Sequence, residues 1–336
     1  MQRGVALTSG VHFATVIHAG LYYAANSLKA RLCVSGKHQL YEYCRAKGVP
    51  HARLGKLLVA PRRAQAGALA ALQAKAEANG VDDLQQVTPA QITELEPGVR
   101  AEGGALVSPS SGVVDVKALM SAFAADAVAS GRATLLRDAR VLAGERDGGH
   151  WKLTCENGKQ VNAIAVVNAA GLCAQEVSSR LSVPQFAIPT LFYARGCYFE
   201  WAFAGPLPFS RLVYPLPPTH GAGLGIHATL DVARSRLLFG PDVTYIPTLS
   251  YDADLAASVP AFEAAIRDYF PSLPAGALKY AYAGVRPKLV GLGQPAADFA
   301  IISHGNGLVA LYGIESPGLT ACMALADTVL TALQTA

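Results

Sequence analysis

The 336-residue sequence is poor in charge: Asp, Glu, Lys and Arg together make up 15% of it, and the formal net charge is only +4. Lys and Arg form no run or stripe with interleaved aromatic residues. The electrostatic footprint of nucleic-acid binding is therefore missing, and a small-molecule partner is expected. No apolar run reaches the roughly 20 residues that a bilayer-crossing helix needs. The first residues also make a poor export signal, because His12, His18 and several glycines interrupt them, so a cytoplasmic protein is expected. The six cysteines (Cys33, Cys44, Cys155, Cys173, Cys197, Cys322) lie far apart, without a CxxC pair or a His at metal-ligand spacing. They read as reduced, mostly buried thiols, with no metal site. The G-x-S-x-G, P-loop and HExxH motifs are absent, which removes the usual hydrolase and nucleotidase readings. GAGLG at Gly221 lacks GxGxxG spacing and reads as a turn.

What remains is 51% hydrophobic, with 32 glycines and 20 prolines scattered along the chain, so a globular protein with a sizeable core is expected. A helix is expected from Asn26 or Ser27 to a stop at Gly48 and Pro50, then a strand in ARLGKLLVA and a helix from Arg62 to Asn79 closed by Gly80. Thr88 should cap a short helix ended by Pro97, and DVKALMSAFAADAVAS has helical period, followed by a strand-like ATLLRDARVLAGER. Asn157-Gly158 signals a hairpin whose second arm is AIAVVNAAG, an apolar run of the kind that meets a ligand at its carboxyl end. Between about Pro189 and Pro247 four strand-like stretches alternate with turns, predicting a largely antiparallel sheet. A helix near Val259–Tyr269, the strand ALKYAYAGVRPKLV, the strand LVALYG and a helix from Ser316 to Gln334 close the chain. Such mixing predicts an α/β (mixed α+β) protein of two interleaved domains.

Three local patterns carry candidate chemistry. In LVALYGIESPGLT, Ser316 can cap and Pro317 suits a first helical position, an ordinary strand-to-helix joint. Equally, Gly313 and Gly318 let backbone N–H groups approach a ligand where the helix dipole favours negative charge. In GVRPKL, Arg286 and Lys288 share one strand face, either a solvated face or an anion clamp. Arg195, inside an aromatic strand, either reaches solvent or reads a ligand acid. His227 and His18 are each either satisfied structural histidines or site residues.

Taken together, VIHAGLYYAANSLKARLCVSGKHQLYEYC, GKLLVA, AYAGVRPKLVGLGQPAADFAI and LYGIESPGLTACMALAD, with weaker support from SPSSGVVDVKALM and VVNAAGLCAQ, resemble the FAD-dependent oxidoreductases of the D-amino-acid oxidase and glycine oxidase superfamily. The nearest branch resembled is the L-2-hydroxyglutarate oxidase/dehydrogenase family. The resemblance runs from about Val16 to the end, in family order. It implies an FAD-binding Rossmann-like domain of the glutathione-reductase type (residues 1–50, 100–180 and 280–336) interleaved with an antiparallel-sheet substrate domain (51–99 and 181–279). It implies that the cofactor, FAD, passes Gly20, Asn168, Ala169, Ala170 and Gly171 and meets Gly313, Ile314, Glu315, Ser316, Gly318, Leu319 and Thr320. His18 would be the base, and Tyr23, Arg195, Tyr214, His227 and Arg286 would line the acid-binding side. The reaction implied is oxidation of a small 2-hydroxy acid, with an amino-acid or amine oxidase and a non-catalytic acid-binding remnant as alternatives. The electron acceptor, oxygen or a quinone, stays open.

The sequence departs from the family at one point. Relatives open with a strand, a GxGxxG turn and a helix that cradle the pyrophosphate, and before VIHAG they carry a Ser-rich run. Here that place reads GVALTSGVHFAT, with only Ser9 and Thr15 hinting at the run. The expectation is a chain truncated in its first βαβ unit, with weak FAD binding and an uncovered sheet edge.

Overall fold

The computed structural model describes residues 15–217 and 225–334. The segment that contains Ser9 and all but the last glycine of GAGLG lie outside the described residues.

The largest sheet has nine strands. In spatial order it runs β15 (Thr244–Ile246), β11 (Phe192–Trp201), β14 (Leu237–Gly240), β13 (His227–Leu230), β12 (Leu212–Pro215), β3 (Lys56–Val59), β5 (Ala105–Ser108) and β4 (Gln85–Val87), and β16 (Leu278–Lys288) pairs with β11 along its length. Its pairings are antiparallel except β12 with β3, where Leu212 lies opposite Lys56. The expected meander is thus present, with one parallel seam.

Alternation along these strands sorts the side chains onto two faces. On one face Phe199, Phe239, Val213 and Leu57 pack on Phe262, Ile266 and Tyr269 of helix α6 (Leu255–Tyr269), the main core. Lys56, Tyr214, His227, Tyr198 and Arg286 are out of phase with that set and share the opposite face.

Three smaller sheets surround this one. β1 (Val16–Ile17) and β2 (His51–Ala52) flank β6 (Gly112–Val114). β7 (Val141–Asp147), β8 (His150–Cys155) and β9 (Gln160–Ala163) form a meander around the Asn157-Gly158 turn, where Gly158 has φ +75°. β18 (Leu308–Tyr312) lies between β10 (Val166–Asn168), which runs parallel to it, and β17 (Ala300–Ser303). Among the described residues β10 is paired on one side only.

The helices begin where capping chemistry dictates. Ser27 caps α1 (Leu28–Lys47) by accepting from the Ala30 N–H at 3.1 Å, and Gly48 closes it with φ +65°. α2 (Ala66–Ala78) follows a single 3-10 turn, Thr88 caps α3 (Pro89–Leu95), and Asp115 caps α4 (Val116–Ala129). α5 (Ala174–Arg180) follows β10, and α7 (Gly318–Gln334) follows β18. α1 and α7 pack so closely that a Cβ on Gly36 would lie 2.5 Å from the Thr320 carbonyl oxygen.

Three expectations need correction. Within ATLLRDARVLAGER the strand begins only at Val141 and runs on to Asp147, because Leu135 and Leu136 are exposed and join no ladder. The hairpin's second arm stops at Ala163, and VVN forms a separate strand in another sheet, since its partner is β18. Ser316 and Pro317 stand ahead of α7, which starts at Gly318.

Candidate active site

The sheet face that carries Tyr214, His227 and Arg286 forms one wall of a cavity of about 640 Å³. The opposing wall is the corner from Ile314 to Thr320, and the segment from His18 to Tyr23 closes one side.

His18 directly follows β1 and is fastened to α7. Its backbone N–H donates to Thr320 Oγ1 at 3.0 Å, and that hydroxyl donates to the Val16 carbonyl at 3.3 Å. The ring Nε2 lies 3.3 Å from Ser316 Oγ, whereas Nδ1 is buried and has no hydrogen-bond partner among the described residues. Burial, then the nearby charges of Lys56, His227 and Arg286, hold its pKa well below 6.5. The imidazole is therefore neutral at pH 7 and keeps one lone pair in its plane.

His227 lies on β13 with its ring stacked on Tyr214, centroids 3.8 Å apart. Its Nδ1 sits 3.0 Å from the Gly225 carbonyl, which fixes the proton on that nitrogen. Burial, reinforced by Lys56 and opposed by the Gly225 contact, depresses its pKa to about 3. Tyr198 on β11 stacks on Tyr282 of β16 at 4.9 Å and interacts with Arg286. Burial pushes the Tyr198 hydroxyl up to about 12 against the pull of that guanidinium.

At the other end of the cavity Glu315 sits between two lysines, 3.0 Å from Lys29 Nζ and 2.8 Å from Lys288 Nζ, with 8% of its side chain exposed. Burial alone would raise its pKa, but Lys29, Lys288 and Arg286 outweigh burial and lower it. Asp298 is engaged as well, since its carboxylate accepts the N–H groups of Leu28 at 2.6 Å and Lys29 at 2.9 Å.

The structure brings His18, Tyr23, Tyr214, His227 and Arg286 to one cavity, together with Gly171 and Ile314. Glu315, Ser316, Gly318, Leu319 and Thr320 complete the corner. Arg195 is not there: it is opposite Val285, one residue out of phase with the Ala194–Arg286 pair, and acts on Cys197 and Tyr280 of the core-facing side. Asn168 is buried and turned inward, donating to the Ala174 carbonyl at 2.7 Å and Ser178 Oγ at 2.8 Å, and its side-chain oxygen accepts from the Ala170 N–H. Ala169 and Ala170 do not line the cavity either. Gly20 and Gly313 serve the backbone, with φ +109° and +66° and a Cβ at either position only 2.7 Å from a neighbouring side chain.

The motif readings did not single out Lys56, Tyr198, Tyr282 or Lys29. Lys56 carried a signal, a lysine at the start of an otherwise apolar GKLLVA strand.

A buried hollow of this size between a sheet and a helix start, with few polar groups converging on it, is the form of an organic-cofactor site. The residues present fit the ring end of a flavin. The dipole of α7 points its positive end at the hollow, and Lys29 and Lys288 flank it, so negative charge gathered on a reduced ring would be stabilised there. This combination defines a flavin-dependent oxidoreductase. The model of the family of FAD dependent oxidoreductases (DAO) matches residues 2–332, and the chain belongs to that family.

Among its relatives, the mitochondrial L-2-hydroxyglutarate dehydrogenase of Arabidopsis thaliana is 35% identical, over 93% of this chain and 73% of that protein. The mouse (Mus musculus) mitochondrial L-2-hydroxyglutarate dehydrogenase is 31% identical, over 68% of this chain but only 51% of its own length. Among solved structures, FAD-bound L-alpha-glycerophosphate oxidase from Mycoplasma pneumoniae superposes with a TM-score of 0.83 at 21% identity, covering 98% of this chain and 85% of that one. Glycine oxidase from Geobacillus kaustophilus gives 0.74 at 20% identity, over 97% and 85%. These structural likenesses bear on the fold.

Proposed function

We propose that the chain oxidises a small 2-hydroxy diacid of the L-2-hydroxyglutarate type at this cavity. The observation that carries the reading is a neutral, buried His18 with one ring nitrogen lacking a partner among the described residues, set beside Arg286 in a hollow with an excess of cations. Lys29, Lys75, Lys288 and Arg286 line the hollow, and its two lining carboxylates, Glu315 and Asp298, are engaged by lysines and backbone N–H groups. A dianion suits such a field. The ammonium group of an amino acid does not, which disfavours the amino-acid oxidase alternative.

FAD, when bound, supplies the hydride acceptor. Arg286 grips the carboxylate next to the hydroxyl, a pairing that Arg makes with two parallel hydrogen bonds. With Nε2 held at Ser316, Nδ1 of His18 takes the hydroxyl proton while the carbon gives up its hydride. His227, kept uncharged, and Tyr214 orient the substrate without adding charge. The relatives named as L-2-hydroxyglutarate dehydrogenases support this substrate choice.

The test is flavin reduction in the absence of oxygen. L-2-hydroxyglutarate should bleach the reconstituted protein, and glycine and D-alanine should not; the reverse pattern would move the chain to the amino-acid oxidases. Six unpaired thiols suit a reducing compartment, for which the cytoplasm is our reading.

A further inference from the structure

We propose that Lys56, together with the hydroxyl of Tyr22, forms the subsite for the second carboxylate of the substrate and thereby sets a preference for diacids over monoacids. The inference rests on the hydroxy-acid reading above and adds to it the groups that read the far end of the molecule.

Lys56 is fully enclosed, at 0% exposure, and its Nζ has no hydrogen-bond partner among the described residues. Leaving an ammonium or amine in this state is costly, because a buried donor forfeits its water without replacement. Two further orphaned atoms belong to its surroundings, the Tyr22 hydroxyl and His18 Nδ1. The amine lies 4.1 Å from the ring centre of Tyr214 and 5.8 Å from that of Tyr22, and both rings line the cavity. A carboxylate reaching between those rings would accept from Lys56 and from Tyr22 at once and satisfy both donors. Lys56 and Arg286 both act on the His18 and His227 rings. Both groups are therefore within electrostatic reach of one pair of imidazoles, which suits a ligand with two acid groups.

Apart from the cation–π faces of Tyr214 and Tyr22, the described elements packed on Lys56 bring it no anionic partner. β12 presents Tyr214 and β13 presents His227, on whose ring Arg286 of β16 also acts. α1 presents the Cys33 thiol, which burial has pushed up to about 12 and which is therefore protonated, and the segment before α1 presents Tyr22 and His18. β5 adds Ser108, whose hydroxyl is paired with Ser111. Burial lowers the amine to about 7 with only Cys33 opposing. An arriving carboxylate reverses that, so binding takes up a proton above pH 7.

Glutarate tests this without turnover, since it has both carboxylates and no oxidisable hydroxyl. Calorimetry at pH 8 in two buffers of different ionisation enthalpy should give tighter binding of glutarate than of butyrate by about 30-fold, with uptake of close to one proton. Above pH 7 the glutarate dissociation constant should climb toward tenfold per pH unit. Lys56→Met should abolish the proton uptake and remove the diacid preference, and Tyr22→Phe should weaken glutarate alone, about fivefold. Equal affinity for glutarate and butyrate in the unsubstituted protein, or proton uptake that persists in Lys56→Met, would overturn the proposal. So would a failure of glutarate to bind at all. Glutarate binding with this signature, in a protein whose flavin L-2-hydroxyglutarate does not reduce, would sink the oxidation reading and leave the subsite standing.

Discussion

The nine-stranded sheet lines the cavity with its own strands, whereas the β10–β18–β17 sheet reaches it only through residues that follow β10 and β18, such as Gly171 and Ile314, and the two treat their polar groups in opposite ways. In the small sheet every polar side chain that looks available is engaged. Asn168 binds Ala174 and Ser178, Ser178 Oγ lies 2.6 Å from the Tyr312 hydroxyl, and that hydroxyl lies 3.0 Å from His304. On and beside the large sheet, Lys56, Tyr22 and His18 each keep a buried polar atom without a hydrogen-bond partner among the described residues. Buried polar atoms are nearly always paired, and while Arg195 Nε, Tyr269 Oη and the Gln175 amide are orphaned elsewhere, Lys56, Tyr22 and His18 are the ones grouped around the cavity, where a ligand would complete them. On the proposed function, the small sheet serves as scaffold and the large sheet with the His18 segment carries the substrate chemistry.

Substitutions can break or sharpen that contrast. The largest effect should come from His18→Ala, which removes the proposed base and should lower kcat by about 1,000-fold with little change in KM. Stopped-flow flavin reduction reads this directly, and a loss under tenfold would exclude His18 as the base. Arg286→Ala should raise KM by about 100-fold through loss of a charge-assisted carboxylate contact while kcat falls less. At the cavity corner, Glu315→Gln leaves Lys29 and Lys288 facing each other in a buried setting and should cost about 3 kcal/mol in urea unfolding. The Glu315 contribution is present above the ordinary carboxyl value of 4.5 and is lost as the pH falls below it, because its folded pKa is depressed.

A pH measurement separates buried neutral groups from buried charges. His227 is depressed to about 3 in the folded state against 6.5 when unfolded, so the unfolded chain binds the extra proton between those values. Stability should therefore fall as the pH drops below 6.5, by about 1.4 kcal/mol per pH unit from this residue. Unfolding of a His227→Phe variant over the same range should show a correspondingly shallower slope. The smallest effect should come from Arg195→Ala, which faces the core side of the sheet and should leave kcat and KM within about twofold. A large loss there would contradict the face assignment.

Much of the fold was legible because local chemistry determined it. Ser27 and Gly48 bound α1, Thr88 starts α3, and the Asn157-Gly158 turn joins β8 to β9. Where the sequence misled, tertiary pairing decided: VVN reads as a continuation of the hairpin but aligns with β18, some 140 residues away, and no local pattern encodes that choice. At the site, the corner from Ile314 to Thr320, His18 and Arg286 were legible by resemblance. Arg195 and Lys56 were not, for one shared reason. A side chain's face in a strand depends on register, and register puts Arg195 on the core side and Lys56 with Tyr214 and His227.

The measurement that bears most directly on this account is anaerobic titration of the FAD-reconstituted chain with L-2-hydroxyglutarate, followed by the absorbance of the oxidised flavin. The account predicts complete bleaching at one equivalent of substrate in the unsubstituted protein and bleaching slowed by about 1,000-fold in His18→Ala. A flavin that stays oxidised, or one that glycine bleaches in its place, would contradict it.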